Sequence, residues 1–364
     1  MDIHLHGLAT ALPPHELPQD LVLTYARQIL GPRYEHFERM VPAFQNAGVD
    51  RRWSVEPVEW FLEPRDWRER NDAYLAGASR LFEEAASKAL IDAGLKARDV
   101  DGVVTVSSTG VATPTLEARA LARMGFRTDL HRVPVFGLGC AGGVSGLSIA
   151  RDIAAARPGA NVLMVAVEAC TLSFRSDRLQ KADIIATVLF GDGASAAVLS
   201  SRGPAGRAVT LEPGITHTWP DTLPIMGWDV DEVGLGVVFD RSIPAFATEH
   251  FADAARMAFG RAGYAAADFD RLVCHPGGAK VLEALEDAMN LAPGTLDHER
   301  AVLRDAGNMS APTVLFVLER ALAAGQTGRV ALCALGPGFT ASFMPAMIDA
   351  PADSARTKVA AIHA

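Results

Sequence analysis

The chain has 364 residues, of which 49% are hydrophobic and 21% charged, and its formal net charge is −9. This composition is typical of a folded globular protein with room for two core-forming units or one large duplicated unit. The acidic balance argues against a general nucleic-acid partner, because phosphate binding needs a basic face. No apolar run reaches the roughly 18 residues of a membrane span, and no signal peptide is recognisable, so we expect a cytoplasmic protein.

The cysteines give no sign of a metal or a disulfide framework. Cys140, Cys170, Cys274 and Cys333 are far apart and form no C-x-x-C pair. Neither a zinc site nor a set of disulfides is therefore predicted. The ten histidines show no H-E-x-x-H spacing. We expect no bound metal.

The first fifty residues are a lead-in rather than a domain. They predict a strand from Ile3 to Ala11 and a helix near residues 19–30. A segment rich in tryptophan and arginine follows, and it begins with Arg51 and Arg52. Two interpretations are open: a solvated charged loop, or a rim of local cations that contacts phosphate groups in an otherwise acidic protein.

Residues 132–151 predict a short apolar strand, a tight glycine turn and an apolar helix, with Cys140 at the turn. A thiol at a helix N-terminus lies near the positive end of the helix dipole and near unpaired N–H groups. The position therefore predicts a lowered thiol pKa and a nucleophile. Taken alone, a cysteine at such a position is more often a small buried hydrophobic residue.

The sequence repeats itself at one spacing. Two separate blocks each match a block 168 or 169 residues downstream, which predicts two similar α/β halves. In each half one helix is apolar all round, at residues 144–156 and 311–322, and such helices are expected to be buried. They would lie between two sheets, giving five layers in the order αβαβα. The equivalent pairs are Gly94 with Gly263, Asp101 with Asp270, Val106 with His275, and Cys140 with Asn308.

The duplication suggests a reactive site between the halves. Cys140 and Asn308 each fall at the N-terminus of the central helix of their half, and His275 falls at the end of a strand. An imidazole can hold a cysteine as thiolate, and with a carboxamide it can stabilise an oxygen that becomes negative on a thioester. This set suits acyl-thioester chemistry, although His275 taken alone is more often a structural histidine.

A dinucleotide site is the remote alternative. Gly137, Gly139 and Gly142 match the G-x-G-x-x-G pattern between a strand and a helix, and Glu168 ends the next strand. However, Glu168 lies 26 residues past Gly142, and the usual spacing is about 20. The equivalent turn of the second half keeps only Gly307. A nicotinamide-dependent oxidoreductase is therefore disfavoured.

Five segments occur together in a recognisable order: Cys140-Ala-Gly-Gly, Phe190-Gly-Asp-Gly-Ala194, His275-Pro-Gly-Gly278, Gly307-Asn308-Met-Ser310 and Gly336-Pro-Gly338. They resemble the motifs of the type III polyketide synthases, the chalcone synthase-like family of the thiolase fold. Ketoacyl synthases III of fatty-acid synthesis share the Cys/His/Asn set and are the nearer alternative. Their histidine usually stands in a His-Gln-Ala-Asn context, so His-Pro-Gly-Gly favours coenzyme A thioesters over carrier-protein substrates.

The resemblance implies a homodimer that needs no cofactor, because decarboxylation itself makes the carbanion. A starter acyl-CoA would load onto Cys140 and malonyl-CoA would extend it. His275 and Asn308 would hold the thioester oxygen of malonyl-CoA while CO2 leaves. The resulting enolate would then attack the acyl group on Cys140.

The resemblance also implies roles outside this triad. Phe190 falls at the family's gatekeeper phenylalanine, between the coenzyme A tunnel and the cavity. Gly336, Pro337 and Gly338 would shape the cavity wall. Arg52, together with Arg51, falls where the family contacts the coenzyme A phosphates.

Small side chains occur at positions that line the cavity in the family, and they limit the range of products that we expect. These positions are Ser108, Ala112, Thr113, Cys170 and Ser173. Small residues leave volume, and volume admits a long acyl chain. Residues 167–174 and 226–244 also look like those of bacterial members that make alkylresorcinols or alkylpyrones from fatty acyl-CoA. We therefore expect a long-chain acyl starter and cyclisation to one of these products.

The expected domain organisation follows from the duplication. Residues 1–200 are the N-terminal thiolase-like half with the nucleophilic cysteine. Residues 201–347 are the C-terminal half with the histidine and the asparagine. Residues 348–364, rich in alanine with scattered charge, are expected to form a flexible tail.

Overall fold

The computed structural model of the chain describes residues 1–178, 180–204 and 208–350. The last strand ends at Ile348. Most of the expected tail, residues 351–364, therefore lies outside the described residues. The strand predicted at Ile3–Ala11 and the helix predicted at Gln19–Leu30 are confirmed.

The chain alternates strands and helices throughout. The strands are β1 (Ile3–Ala11), β2 (His15–Pro18), β3 (Arg51–Ser54), β4 (Gly102–Val106), β5 (His131–Val135), β6 (Val162–Ala169), β7 (Asp192–Ser200), β8 (Val209–Leu211), β9 (Ile215–Thr218), β10 (Met226–Val230), β11 (Leu235–Phe239), β12 (Arg271–Cys274), β13 (Gly328–Gly336) and β14 (Thr340–Ile348). The α-helices are α1 (Gln19–Leu30), α2 (Val41–Gln45), α3 (Trp67–Asp92), α4 (Leu116–Met124), α5 (Gly142–Ala156), α6 (Lys181–Leu189), α7 (Ile243–Arg261), α8 (Ala279–Ala288), α9 (Asp297–Ala306) and α10 (Thr313–Ala323).

The main sheet has the strand order β12-β13-β14-β8-β1-β7-β6-β4-β5, and β9 pairs with β14. Within the first half β5, β4 and β6 are parallel, and β7 and β1 continue antiparallel. Within the second half β12 and β13 are parallel and β14 is antiparallel to β13. The short β8 pairs with both β1 and β14, so it joins the two half-sheets edge to edge.

Helices α5 and α10 form the central layer. Each touches strands of both half-sheets, and the two helices pack against each other. A Cβ added to Gly143 would collide with the backbone oxygen of Ala311, so the two helices approach closely at this point. Helices α3 and α4 cover the outer face of the first half-sheet, and α7 with α8 covers that of the second. The predicted five-layer thiolase arrangement is confirmed.

The duplication extends to individual hydrogen bonds. In the first half Asp101 Oδ2 accepts the Asn161 N–H at 2.9 Å, just before β4 and β6. In the second half Asp270 Oδ2 accepts the Arg329 N–H at 2.8 Å, at the corresponding start of β12 and β13. The same residue type thus fixes the register of the same strand pair in both halves. Among the described residues no helix is both long and apolar enough to cross a membrane.

Candidate active site

The turn before α5 is held from behind by the loop after β13. Gly139 has φ +47°, and a Cβ there would lie 2.7 Å from Pro337 Cδ. A Cβ on Gly336 would lie 2.6 Å from the Ala141 N. Gly336 and Pro337 therefore pack against the turn that carries Cys140, whereas Gly338 lies against Thr340. None of these three residues lines the triad cavity or the α1 cavity, which are defined by their residues in the paragraphs that follow. Gly336 and Pro337 thus support the nucleophile turn, and the part of this segment in a cavity wall stays a prediction.

Cys140 is buried, with 7% of its surface exposed. It lies in the single 3₁₀ turn Gly139–Ala141 that leads into α5, as the sequence predicts. Its Sγ is 4.0 Å from Asn308 Oδ1. Burial raises the pKa of the Cys140 thiol to about 11. The prediction of a lowered pKa is therefore wrong for the thiol on its own, because desolvation outweighs the dipole and the local hydrogen bonds.

Asn308 is oriented by backbone groups on both sides of its carboxamide. Its Oδ1 accepts the Ser310 N–H at 2.8 Å, and its Nδ2 donates to the Gly277 carbonyl at 3.1 Å. These two contacts fix which atom of the amide is oxygen and which is nitrogen. Because Nδ2 carries two hydrogens, a second N–H remains beyond the one given to Gly277.

His275 follows β12 and is buried. Its backbone N–H donates to the Cys333 carbonyl at 2.8 Å, which continues the β12–β13 pairing by one residue. Its Nδ1 and Nε2 have no hydrogen-bond partner among the described residues. Burial lowers the pKa of His275 to about 3, so the ring is neutral at pH 7. A neutral imidazole with both nitrogens unused is equipped to hydrogen-bond a substrate.

The three side chains line one cavity, which we call the triad cavity. Cys140 comes from the first half, and His275 and Asn308 come from the second. The rest of the wall is mostly apolar and comes from β10, β11, α7, α8 and β13. The predicted convergence of these three residues is therefore observed.

A second cavity lies beside α1, and we call it the α1 cavity. Its wall includes Cys170, Ser173 and Phe190, three of the residues predicted from the sequence to face a cavity. Its apolar surface comes largely from α1, at Val22, Tyr25, Ala26 and Ile29.

A cluster of aromatic rings stands between the two cavities. Phe190 lines the α1 cavity, and Phe239 lines the triad cavity. Their rings meet edge to face with centroids 6.4 Å apart. Trp228 meets Phe190 at the same centroid distance. The sequence did not predict Phe239 and Trp228 as residues between the two cavities. Residues 226–244 resemble bacterial members of the family, but no motif within them indicates which side chains face a cavity.

Two family models match this chain. Residues 64–203 match the N-terminal domain of the chalcone and stilbene synthases, and residues 211–346 match their C-terminal domain. The chain is a type III polyketide synthase. Enzymes of this family are acyltransferases that act on coenzyme A thioesters and catalyse decarboxylative condensation with malonyl-CoA. The family, the fold and the enzyme class predicted from the sequence are confirmed.

Relatives and solved structures agree with this assignment. The synthase is 39% identical to 1,3,6,8-tetrahydroxynaphthalene synthase of Streptomyces peucetius, over 92% of this chain and 90% of the relative. It is 31% identical to a putative chalcone synthase of Bacillus subtilis, over 93% of this chain and 96% of the relative. The crystal structure of the Streptomyces coelicolor tetrahydroxynaphthalene synthase superposes with a TM-score of 0.90 at 31% identity, covering 95% of this chain and 99% of that one.

Three of the small residues expected in the cavity lie elsewhere. Ser108 is buried, and its Oγ accepts the N–H groups of Gly137 and Gly139 at 3.1 and 3.4 Å. Ala112 is half-buried against the core beneath α3, and Thr113 is exposed. None of the three lines the triad cavity or the α1 cavity. Ser108 instead braces the turn before Cys140, because the chain reverses after β4 and points its hydroxyl at that turn.

The features that suggested a dinucleotide site have structural roles in the synthase. Glu168 is fully buried and accepts the Ser108 N–H at 2.9 Å and the Thr109 hydroxyl at 2.7 Å. Burial raises the pKa of Glu168 to about 7. Its oxygens are thus committed to the loop after β4, and the glycine turn is covered by Pro337 at Gly139.

Arg52 lies on the wall of the α1 cavity, and its guanidinium is turned toward the backbone of α6. Its side chain is buried and donates to the Val188 carbonyl at 2.8 Å and to the Thr187 carbonyl. Burial lowers the pKa of Arg52 to about 9. The guanidinium satisfies carbonyls at the C-terminal end of α6, which have no partner within the helix. These contacts give Arg52 a structural role at the end of α6, and phosphate contact by Arg52 stays a prediction.

Arg51, the neighbouring residue, points outward. Its side chain is 46% exposed and approaches Glu16 at 3.4 Å and Asp305 at 3.9 Å. Phosphate contact by Arg51 stays a prediction.

The contrast between the two arginines predicts different effects on stability. Arg52→Ala should lower the free energy of unfolding by about 2–5 kcal/mol, because it removes a buried donor from the carbonyls at the end of α6 and opens a cavity. Arg51→Ala should change it by less than about 1 kcal/mol, as exposed ion pairs usually do. Urea unfolding of both variants measures this, and equal stability would show that Arg52 does not hold the end of α6.

Proposed function

We propose that the synthase loads a long-chain fatty acyl group from its coenzyme A thioester onto Cys140, extends it with malonyl-CoA, and releases an alkylpyrone or an alkylresorcinol. The observation that carries the proposal is the pair of cavities: the triad faces one, and a second, apolar cavity lies beyond the rings of Phe190 and Phe239. The proposed reaction requires no cofactor or metal, since loss of CO2 supplies the carbanion. Arg51 is the proposed contact for the coenzyme A phosphates.

In the loading step the Cys140 sulfur attacks the starter carbonyl and its proton passes to His275. Burial opposes a single charge on either group, as the pKa shifts of both show. Transfer of the proton creates a thiolate and an imidazolium together, and their attraction offsets part of the burial cost of each. The coenzyme A thiolate leaves with the proton from His275, which restores the neutral ring.

In the extension step the thioester oxygen of malonyl-CoA accepts hydrogen bonds from His275 and from the unused Nδ2–H of Asn308. Charge that develops on this oxygen as CO2 leaves is stabilised by donors already in place in a water-poor cavity. The enolate carbon then attacks the acyl thioester on Cys140. A carbon–carbon bond forms, and the Cys140 sulfur leaves as a thiolate. One proton taken up from solvent for each CO2 lost restores the neutral thiol for the next acyl group.

Variants of the triad should separate these two steps. Cys140→Ala should give no condensed product, while His275→Ala and Asn308→Ala should slow malonyl-CoA decarboxylation by about a hundredfold or more, the scale of losing an oxyanion donor. Release of labelled CO2 and mass spectrometry of products measure the two steps. Cys333→Ala is a matched control, since Cys333 lines the same cavity without an assigned role. Decarboxylation at the wild-type rate in both the His275 and the Asn308 variants would refute the roles.

The apolar lining of the α1 cavity supports a hydrocarbon starter. Each methylene group moved from water into such a cavity contributes about 0.8 kcal/mol, or roughly a fourfold gain in affinity. Starter preference should therefore rise with chain length until the cavity is full.

A second candidate product comes from the relatives. Two proteins at 39% and 32% identity are named 1,3,6,8-tetrahydroxynaphthalene synthases, and that product carries no alkyl chain. A synthase of this kind would make its product from malonyl-CoA without a fatty starter. Assays with malonyl-CoA alone and with a series of acyl-CoA starters distinguish the two functions.

Filling the α1 cavity should shorten the accepted starter. Cys170 is buried on its wall, so Cys170→Phe should reduce kcat/KM for long starters by about tenfold or more relative to short ones, because a pocket discriminates by the methylenes it can hold. Cys170→Ser keeps the volume and is the control. Competition between acyl-CoA starters, read by mass spectrometry, measures the ratio. An unchanged length profile in Cys170→Phe would rule out this cavity as the acyl site.

We also propose that the synthase is a homodimer formed at the edge strand β5. This strand ends the main sheet, and Phe136, which follows it directly, is 62% exposed. Val111, on the loop after the neighbouring β4, is 50% exposed. An unpaired strand edge beside exposed apolar side chains fits association of two copies.

Phe136→Glu should convert the dimer into a monomer, because a charge would be buried at the contact. Leu223→Glu, at a position 77% exposed on a different part of the chain, is the control and should remain dimeric. Light scattering after size exclusion gives the mass of each. A monomeric wild type, or a dimeric Phe136→Glu, would contradict the proposed interface.

A further inference from the structure

We propose that Arg175 and Arg178 are positioning residues that hold the β10–β11 hairpin against the wall of the α1 cavity and thereby set the starter chain length that passes Phe239. The inference rests on the proposed function, since it assigns chain-length selection to the two cavities. We call the two arginines and their partners Asp229 and Asp231 the hairpin latch.

The hairpin is not part of the main sheet. Strands β10 and β11 pair only with each other among the described residues. Yet Met226 and Phe239, at the base of the hairpin, line the triad cavity, and Trp228 meets the Phe190 ring. Because no hydrogen-bond ladder joins these side chains to the rest of the fold, their position depends on side-chain contacts.

Arg175 provides the first contact. It is buried, with 3% of its surface exposed, and carboxylates occupy two edges of its guanidinium. Its Nε donates to Asp177 Oδ1 at 2.7 Å, and its Nη1 and Nη2 donate to the two oxygens of Asp231 at 2.9 and 3.1 Å. Paired hydrogen bonds of this kind fix direction as well as distance.

Arg178 provides the second contact, at Asp229, two residues before Asp231 in the sequence. Its Nη1 donates to Asp229 Oδ2 on β10 at 2.9 Å. Its guanidinium also lies directly over β11, where a Cβ added to Gly236 would overlap it. The absence of a side chain at Gly236 is therefore what allows Arg178 to reach across the hairpin.

The latch connects the walls of both cavities. Residues 170–174, just before Arg175, supply Cys170, Ser173 and Phe174 to the α1 cavity. The hairpin on the other side of the latch supplies Phe239 to the triad cavity. A shift of the hairpin relative to Arg175 would thus change the distance between Phe239 and residues 170–174, which form the wall proposed to face the acyl chain.

Asp231 allows the latch to be tested apart from the hairpin turn. Its Oδ1 also accepts the N–H groups of Val233 and Gly234 at 2.9 and 3.1 Å, so it builds the turn as well. Asp231→Asn keeps an oxygen for the turn but removes the charge and places an N–H₂ group against Arg175. Asp231→Glu keeps the charge and is the conservative variant.

The experiment compares starter selection with basal chemistry. In Asp231→Asn the ratio of kcat/KM for long over short acyl-CoA starters should change by about tenfold, because small displacements of a positioning wall have effects of this size. Malonyl-CoA decarboxylation should stay within about twofold, since the triad lies on other elements. Asp231→Glu should recover part of the ratio. Asp253→Asn, in an exposed pair with Arg256, is the control and should behave as wild type.

Gly236→Ala is the second variant and leaves every charge in place. It should displace Arg178 and change the same ratio, and thermal unfolding of each variant confirms that it is folded. Folded Asp231→Asn and Gly236→Ala proteins with the wild-type ratio would overturn the inference. The preference of the wild type for starters of different chain length tests the proposed function by itself. The role of the hairpin latch is tested separately, by the change in the long-over-short ratio between each variant and the wild type.

Discussion

The close packing of α5 against α10 is the constraint on which the rest of the structure depends. Both helices are largely apolar and carry charge only toward their C-terminal ends, so most of each is covered by both half-sheets and by the other helix. Gly143 permits this contact at the backbone of Ala311. Once the helices lie side by side, their N-terminal turns meet at the centre of the molecule. The nucleophile of one half and the amide of the other, Cys140 and Asn308, are brought together by core packing rather than by any local loop.

The same burial determines the electrostatics of the site. Cys140 and His275 are both deeply buried, and each alone is held neutral, with pKa values of about 11 and about 3. Without substrate the site is uncharged, because the thiol and the imidazole are both in their neutral forms. Charge appears only when a proton moves between the two groups or when a bound thioester oxygen becomes negative. At that moment the low local dielectric strengthens every hydrogen bond that meets the charge.

The sequence predicted the parts of this site that follow from the duplication. Cys140, His275 and Asn308 could be placed because two halves of known spacing must present equivalent ends of strands and helices to one another. The direction of a side chain in an irregular segment could not be predicted: Ser108 turns toward the glycines before Cys140 instead of into a cavity. Arg52 looked like a surface cation, since nothing local reveals that the end of α6 needs a donor. The thiol pKa was misjudged because the second half, far along the chain, supplies the burial.

The hairpin shows a different way of holding a functional side chain. Phe239 of the hairpin lines the triad cavity and contacts Phe190 on the wall of the α1 cavity. An apolar seam between the hairpin and this wall would have the same chemistry as the proposed acyl chain. Hydrophobic contact is not directional, so a hydrocarbon could compete for such a seam or slide along it. A hydrocarbon cannot replace either partner of a guanidinium–carboxylate pair such as Arg175 and Asp231, and the pair has one preferred geometry. An ion pair is thus the interaction best suited to fix a cavity wall whose other face must remain apolar. The reacting groups, in contrast, are positioned by the packed core.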